Sequence, residues 1–198
     1  MPTPLTIDGG ILAGGLASRM QGEDKGLQLF NEKPMVSWIY QTLSPYVRKV
    51  IINCNRNQSD YSQITTNLVS DTISGFPGPL AGIVSIMEAS DADYWLICPC
   101  DTPLLSQDFA KKMLDFLQTE YSQDKPKPLL FAVIAEGKQQ PLHMCIAKEY
   151  KTALKLYLEN GEQRVMKWMH ENNAIWLDFS EQAECFKNFN TLDDVNAH

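Results

Sequence analysis

A glycine pair, two cations, an asparagine and two aspartates carry most of the chemistry in this sequence: Gly14-Gly15, Arg19, Lys25, Asn53, Asp71 and Asp101. Ala13-Gly14-Gly15 makes a loop with no side chains in the way, whose backbone N–H groups are free to point at phosphate oxygens. Arg19 can fork onto such oxygens and Lys25 can place a compact charge beside them. Alone, a Gly-Gly pair is a tight turn; with Arg19 and Lys25 behind it, phosphate binding is the better reading. It is not a Walker A loop, because Lys25 stands between Asp24 and Gly26. Neither Gly9-Gly10 nor Gly14-Gly15 starts a G-x-G-x-x-G dinucleotide fingerprint.

Asp101 lies just past an apolar run and between Pro99 and Pro103. A carboxylate there is a natural Mg²⁺ ligand, since Mg²⁺ takes oxygen donors and fills its other positions with water and substrate phosphate. A capping or turn aspartate is the competing reading. Asp71 has a similar setting with weaker flanks, leaving metal, nucleotide and structural roles open. Gly75 to Gly82, with Pro79 at its centre, is either a loop that lets a flat ligand approach the backbone or the start of a helix. His143 reads more readily as a satisfied strand-edge histidine than as a base. Arg164 can reach a second anionic group or simply cover a helix start.

The elements that must position these residues alternate between short apolar strands and amphipathic stretches, which predicts a layered α/β fold with a mostly parallel sheet. Strands are expected at Ile7–Leu12, Lys49–Cys54, Leu68–Asp71 and Tyr94–Cys98, then at Leu129–Ala135 and Leu142–Ala147 as a hairpin, and at Ala174–Leu177. Helices are expected from Pro34 to about Leu43, Pro79 to Ala89, Ser106 to about Tyr121, and near Glu149–Glu159 and Gln163–Glu171. The glycine loop, Asn53, Asp71 and Asp101 each fall at the carboxyl end of an expected strand. Ligands bind along that edge of open parallel sheets, so four distant parts of the sequence should converge there.

The chain has 198 residues, 44% hydrophobic and 21% charged, which suits one folded domain over 1–198. A net charge of −7 argues against nucleic acid as a partner. No apolar run approaches the ~20 residues of a membrane helix, and the N-terminal residues lack the pattern of a signal peptide. A cytoplasmic protein with no membrane partner is expected. Its 5 cysteines lack zinc spacing, so free thiols are expected.

Leu12 to Leu27 resembles the LAGGxxxRMxGxDKGL signature of the molybdenum cofactor guanylyltransferases, with Gln21 standing where the signature usually has glycine. The resemblance continues at Asn53–Arg56, Pro77–Gly82, Cys98–Pro103, Gly161–Val165 and Asn188–Thr191. It implies a Rossmann-like, three-layer fold of the nucleotide-diphospho-sugar transferase type. It also implies Mg²⁺-dependent transfer of GMP from GTP to the molybdopterin cofactor, with release of pyrophosphate. Leu12, Ala13, Gly14, Gly15, Lys25, Asn53, Asp71 and Asp101 would contact GTP, with Asp101 also holding Mg²⁺. Arg19, Lys25 and Asp101 would be catalytic, and Pro79, His143 and Arg164 are candidates for the pterin. Proteins that insert molybdenum or accept the finished cofactor are the implied transient partners. Two other readings stay open: a related transferase using CTP or a sugar 1-phosphate, and a non-catalytic nucleotide-binding adaptor. Cytidylyl-transferring relatives tend to show Leu-Ala-Ala-Gly where this chain has Leu-Ala-Gly-Gly, which favours GTP.

Overall fold

Successive side chains in a strand point to opposite faces of its sheet, and here each face is apolar. Ile11, Ile52, Leu96, Cys98, Phe131, Val133 and Cys145 enter one buried cluster. Their neighbours Leu12, Ile51, Trp95, Ile97, Ala132, Met144 and Ile146 enter a second cluster on the other side. A sheet apolar on both faces must be covered on both, and helices do this.

The computed structural model describes residues 5–15, 24–73, 78–121 and 128–190. Its strands are β1 (Ile7–Leu12), β2 (Leu29–Phe30), β3 (Lys33–Pro34), β4 (Val50–Asn53), β5 (Leu68–Val69), β6 (Tyr94–Pro99), β7 (Leu130–Ala135), β8 (Lys138–Ala147) and β9 (Ile175–Asp178). Its helices are α1 (Met35–Leu43), α2 (Gln58–Tyr61), α3 (Pro79–Glu88), α4 (Gln107–Glu120), α5 (Tyr150–Glu159) and α6 (Val165–Glu171). Two 3₁₀ segments, Lys25–Leu27 and Ser180–Phe186, complete the order. On one face α1 and α4 bury Val36, Ile39, Leu43, Phe109, Met113 and Leu117. On the other, α3, α5 and α6 bury Leu80, Ile83, Met87, Leu154, Leu158 and Trp168. No helix among the described residues is long and apolar enough to cross a membrane.

The seven-stranded sheet runs β5-β4-β1-β6-β8-β7-β9, and β2 pairs separately with β3. β1 pairs in parallel with β4 on one side and β6 on the other, and β4 pairs in parallel with β5. β8 is antiparallel to both β6 and β7, while β9 lies parallel to β7. The expected mostly parallel, three-layered α/β architecture is therefore present. After β1 the chain steps out to β4 and β5, then returns past β1 to form β6. That reversal opens a crevice beyond the carboxyl ends of β1 and β6, where ligands of such sheets sit.

Several boundaries differ from those expected. The strand before Asp71 stops at Val69, leaving Asp71 in irregular chain where its side chain answers to asparagines rather than to the ladder. β8 begins at Lys138, not Leu142, because the hairpin turns on Glu136 and Gly137 alone, both at positive φ (49° and 74°). Pro141 is accommodated at an irregularity between the pairs Ala132–Met144 and Val133–Gln140, where no ladder donor is needed. Ser106 stands at the N-cap of α4 without a side-chain capping bond. The small hairpin β2–β3, turning on Asn31 and Glu32 at positive φ (45° and 65°), and helix α2 were not expected.

At the amino edge, the fully buried Asp8 is gripped by Arg48 through Nε (2.9 Å) and Nη2 (3.1 Å). Asp91 takes a further bond from Nη2 at 2.8 Å. These bonds push the guanidinium pKa still higher, Asp8 contributing most.

Candidate active site

β1 delivers its loop into the crevice under tight backbone control. Ala13 N donates to the carbonyl of Asn53 (2.9 Å), and Cys100 N donates to that of Leu12 (3.1 Å). The loop is therefore tied to both neighbouring strands before it turns away. Gly14 carries the next constraint: its carbonyl accepts Asn55 Nδ2 at 3.1 Å. A Cβ on Gly14 would lie 2.7 Å from Asn53 Oδ1, and one on Gly82 in α3 would collide with the same oxygen. Among the described residues no atom lies within 4 Å of where a Cβ on Gly15 would stand.

Asn53, at the end of β4, is 2% exposed. Its Nδ2 donates to Asp71 Oδ1 (2.9 Å), while Asn55 Nδ2 donates to Asp71 Oδ2 (2.7 Å). Asp71 N returns a bond to Asn55 Oδ1 at 2.8 Å. Two asparagines and one aspartate thus form a closed polar frame beneath the glycine loop.

On the other side of β1, Lys25 rises from its 3₁₀ turn and donates from Nζ to Asp101 Oδ2 at 2.5 Å and to Asn190 Oδ1 at 2.5 Å. Asp101 stands just after β6, and its carbonyl accepts Phe189 N at 2.9 Å. The other carboxylate oxygen, Asp101 Oδ1, is buried with no hydrogen-bond partner among the described residues. An orphaned, buried anionic oxygen is costly unless something positive meets it. One carboxylate beside a bare backbone loop suits a hard divalent cation that completes its shell with water and phosphate. Among the described residues no group of three or more His, Cys, Asp or Glu forms a self-sufficient metal cage.

His143 is 2% exposed, enclosed by the rings of Phe109 (centroids 5.9 Å) and Phe186 (5.0 Å), with Nε2 3.0 Å from Thr102 Oγ1. Burial pushes its pKa down to about 3, so the ring is neutral and braces the residue next to Asp101. This is the satisfied strand histidine that the sequence favoured. Pro79 is the first residue of α3, behind Gly78 at φ 154°. Arg164 is exposed ahead of α6, with Nη2 3.7 Å from Glu162. Arg19 and the segment 74–77 lie outside the described residues. The five cysteines are free, and burial raises the thiol pKa of Cys98, Cys100 and Cys145, which keeps them protonated and inert.

The structure therefore gathers the glycine loop, Asn53 and Asp71 on one side, and Lys25 with Asp101 on the other. Sequence reasoning missed Asn55 and Asn190 as single residues. Asn55 offered a signal, sitting two places beyond Asn53 in an Asn-rich turn. Asn190 is separated from Lys25 by 165 positions and follows no strand, so no local pattern revealed it.

Residues 9–174 match the model of the MobA-like NTP transferase domain. A molybdenum cofactor guanylyltransferase of Shewanella piezotolerans is 39% identical over 188 residues, covering 94% of this chain and 89% of its own. One from Haemophilus influenzae is 36% identical over 191 residues, covering 96% of each. Among solved structures, the molybdopterin-guanine dinucleotide biosynthesis protein A of Archaeoglobus fulgidus superposes with a TM-score of 0.75 at 16% identity. That alignment covers 96% of this chain and 95% of the other, which shows the same fold.

Proposed function

Because the chain belongs to the MobA-like NTP transferase domain family, among the molybdenum cofactor guanylyltransferases, we propose that the crevice between β1 and β6 is where GMP changes hands. The enzyme transfers GMP from GTP to the molybdopterin cofactor and releases pyrophosphate. The observation that carries the site assignment is Asp101 Oδ1, without a hydrogen-bond partner among the described residues, beside the Lys25 ammonium.

The nucleophile, a terminal phosphate of the pterin, is already an anion, so no protein base has to activate it. What remains is to hold two anions together and stabilise the charge spread over the transferring group, by positioning and by fixed electrostatics. Leu12 and Ala13, tied by backbone bonds to the neighbouring strands, hold the loop in place, and Gly14 and Gly15 offer their backbone N–H groups to the phosphates. Lys25, already aimed by its two acceptors, meets the triphosphate without reorganising, and Arg19 adds a second cation. The frame of Asn53, Asn55 and Asp71 holds the loop and faces the nucleoside. Asp101 would hold Mg²⁺, which would supply positive charge to the phosphate oxygens. For the pterin the candidates are Pro79 at the head of α3, Arg164 as an exposed cation, and His143 acting from behind Thr102. Transient contact with molybdenum-inserting or acceptor proteins, in the cytoplasm, belongs to the same proposal.

Pyrophosphate release is the test, with molybdenum-loaded molybdopterin and Mg²⁺, comparing GTP, CTP and ATP. Release with GTP alone is the expected result. Release with CTP instead would overturn the base assignment and leave the transfer mechanism standing.

A further inference from the structure

The acid next to Lys25 has a different task from Asp101. Asp24 caps the 3₁₀ turn Lys25–Leu27 and is only 7% exposed. Its Oδ1 accepts Gly26 N at 3.2 Å and Tyr61 Oη at 2.6 Å. Its Oδ2 accepts Asn57 Nδ2 at 3.1 Å, with Arg56 Nε at 3.6 Å. Apart from Gly26, these donors all come from the stretch 56–61, the connection after β4 and helix α2.

That connection is itself firmly held. Tyr61 is fully buried, and burial raises its phenol pKa, so the hydroxyl stays protonated as a donor. Asn57 sits in the left-handed region (φ 50°), a conformation that asparagine tolerates better than most side chains, and this directs it toward Asp24. A Cβ on Gly26 would come within 2.5 Å of Tyr61 Oη, so the turn is packed directly onto the phenol. A carboxylate surrounded by donors in this way has no spare oxygen to act as a base. Its effect is on where the turn lies, and the turn decides where Nζ of Lys25 reaches. Lysine is a flexible stem; with its backbone fixed, Nζ is brought between Asp101 and Asn190.

We propose that Asp24, clamped by Asn57 and Tyr61, is a positioning residue for phosphate transfer: it fixes the turn from which Lys25 meets the triphosphate. The same connection carries Asn55, which holds the Gly14 carbonyl, so residues 55–61 set both walls of the phosphate site. This rests on the reading of Lys25 as a phosphate ligand.

The experiment is a cycle of pyrophosphate-release kinetics on Tyr61→Phe, Lys25→Ala and the double variant, with thermal unfolding measured on each. Tyr61→Phe removes one hydroxyl and keeps the ring in the core. It should lower kcat/KM for GTP roughly tenfold, the scale of one hydrogen bond to a charged group. Lys25→Ala should lose more, and the double variant should be no worse than Lys25→Ala, because the clamp then has nothing to aim. A purely structural role would make the two losses multiply, whatever happens to Tm, and that result would overturn the proposal. Wild-type kinetics in Lys25→Ala would overturn both the clamp and the lysine assignment; wild-type kinetics in Tyr61→Phe alone would overturn only the clamp. Asn57→Ala, altering an exposed residue on the other carboxylate oxygen, repeats the cycle should Tyr61→Phe fold poorly.

Discussion

Lys25 Nζ and Asp101 Oδ2 lie 2.5 Å apart across 76 positions of sequence, one on the loop after β1 and the other on the loop after β6. The parallel pairing of those two strands brings the loops together at one edge. The pair sets a cation and an anion side by side in the crevice proposed for the two anionic substrates, and Asp101 Oδ1 has no hydrogen-bond partner among the described residues.

Asp101→Ala should lower turnover by at least ~10²-fold, the scale of removing one preorganised electrostatic group. Steady-state pyrophosphate release at saturating Mg²⁺ checks this. Near-normal turnover there would remove Asp101 from the metal site.

Chelation separates the chemistry from the fold. Excess EDTA should abolish pyrophosphate release and leave the thermal unfolding midpoint within a degree or so, because a cation held by one carboxylate and substrate contributes little to the folded chain. A large fall in Tm would mean that metal is part of the scaffold.

Asn55→Ala removes the bonds that hold the Gly14 carbonyl and one oxygen of Asp71. KM for GTP should rise roughly tenfold, about the worth of a hydrogen bond to a charged group, with a smaller effect on kcat. A fall confined to kcat would place Asn55 with the reacting phosphates instead.

Arg48→Met leaves Asp8 fully buried without its partner. Because Arg48 is itself partly exposed, destabilisation should fall near the lower end of the range for a broken buried pair, about 3 kcal/mol. Urea unfolding at neutral pH measures it. Activity per folded molecule should not change, because this pair lies at the opposite edge of the sheet from Asp101.

His143 gives the protein an acid-side weakness. Burial holds its pKa at about 3 against an ordinary 6.5. Below about pH 6.5 the unfolded chain binds a proton that the folded chain refuses, so stability falls as pH drops toward about 3. Above pH 6.5 the contribution is fully present. The slope from this one group reaches at most ~1.4 kcal/mol per pH unit. His143→Gln, which can still bond Thr102, should lose less stability between about pH 7 and about pH 5 in parallel urea titrations. Identical slopes would mean that the ring is solvated.

The parallel core was legible in the sequence because its strands are short apolar runs ending in the polar residues that serve the site. β1, β6 and α3 fall nearly where patterning puts them, since each alternation or apolar stripe answers to a single partner face. The pieces that were not legible depend on something other than periodicity. Hairpin β2–β3 rests on two residues at positive φ, neither of them glycine. Helix α2 is one turn long and exists to bury Tyr61 against Asp24. Asn190 reaches Lys25 only because Phe189 is buried with Phe30 and Met35, a contact between the two ends of the sequence. Pattern reading finds edges and faces; it does not find side chains that meet through tertiary packing.

That last contact orders events in the life of the molecule. β1 and Lys25 are made early, yet the lysine gains its second acceptor only when residues 189 and 190 arrive and settle against Phe30. Until those residues are in place, the site proposed for phosphate lacks both Asn190 on Lys25 and Phe189 on the Asp101 carbonyl. The site proposed for phosphate is therefore closed by the last part of the described chain to be made, however early the strand beneath it is formed.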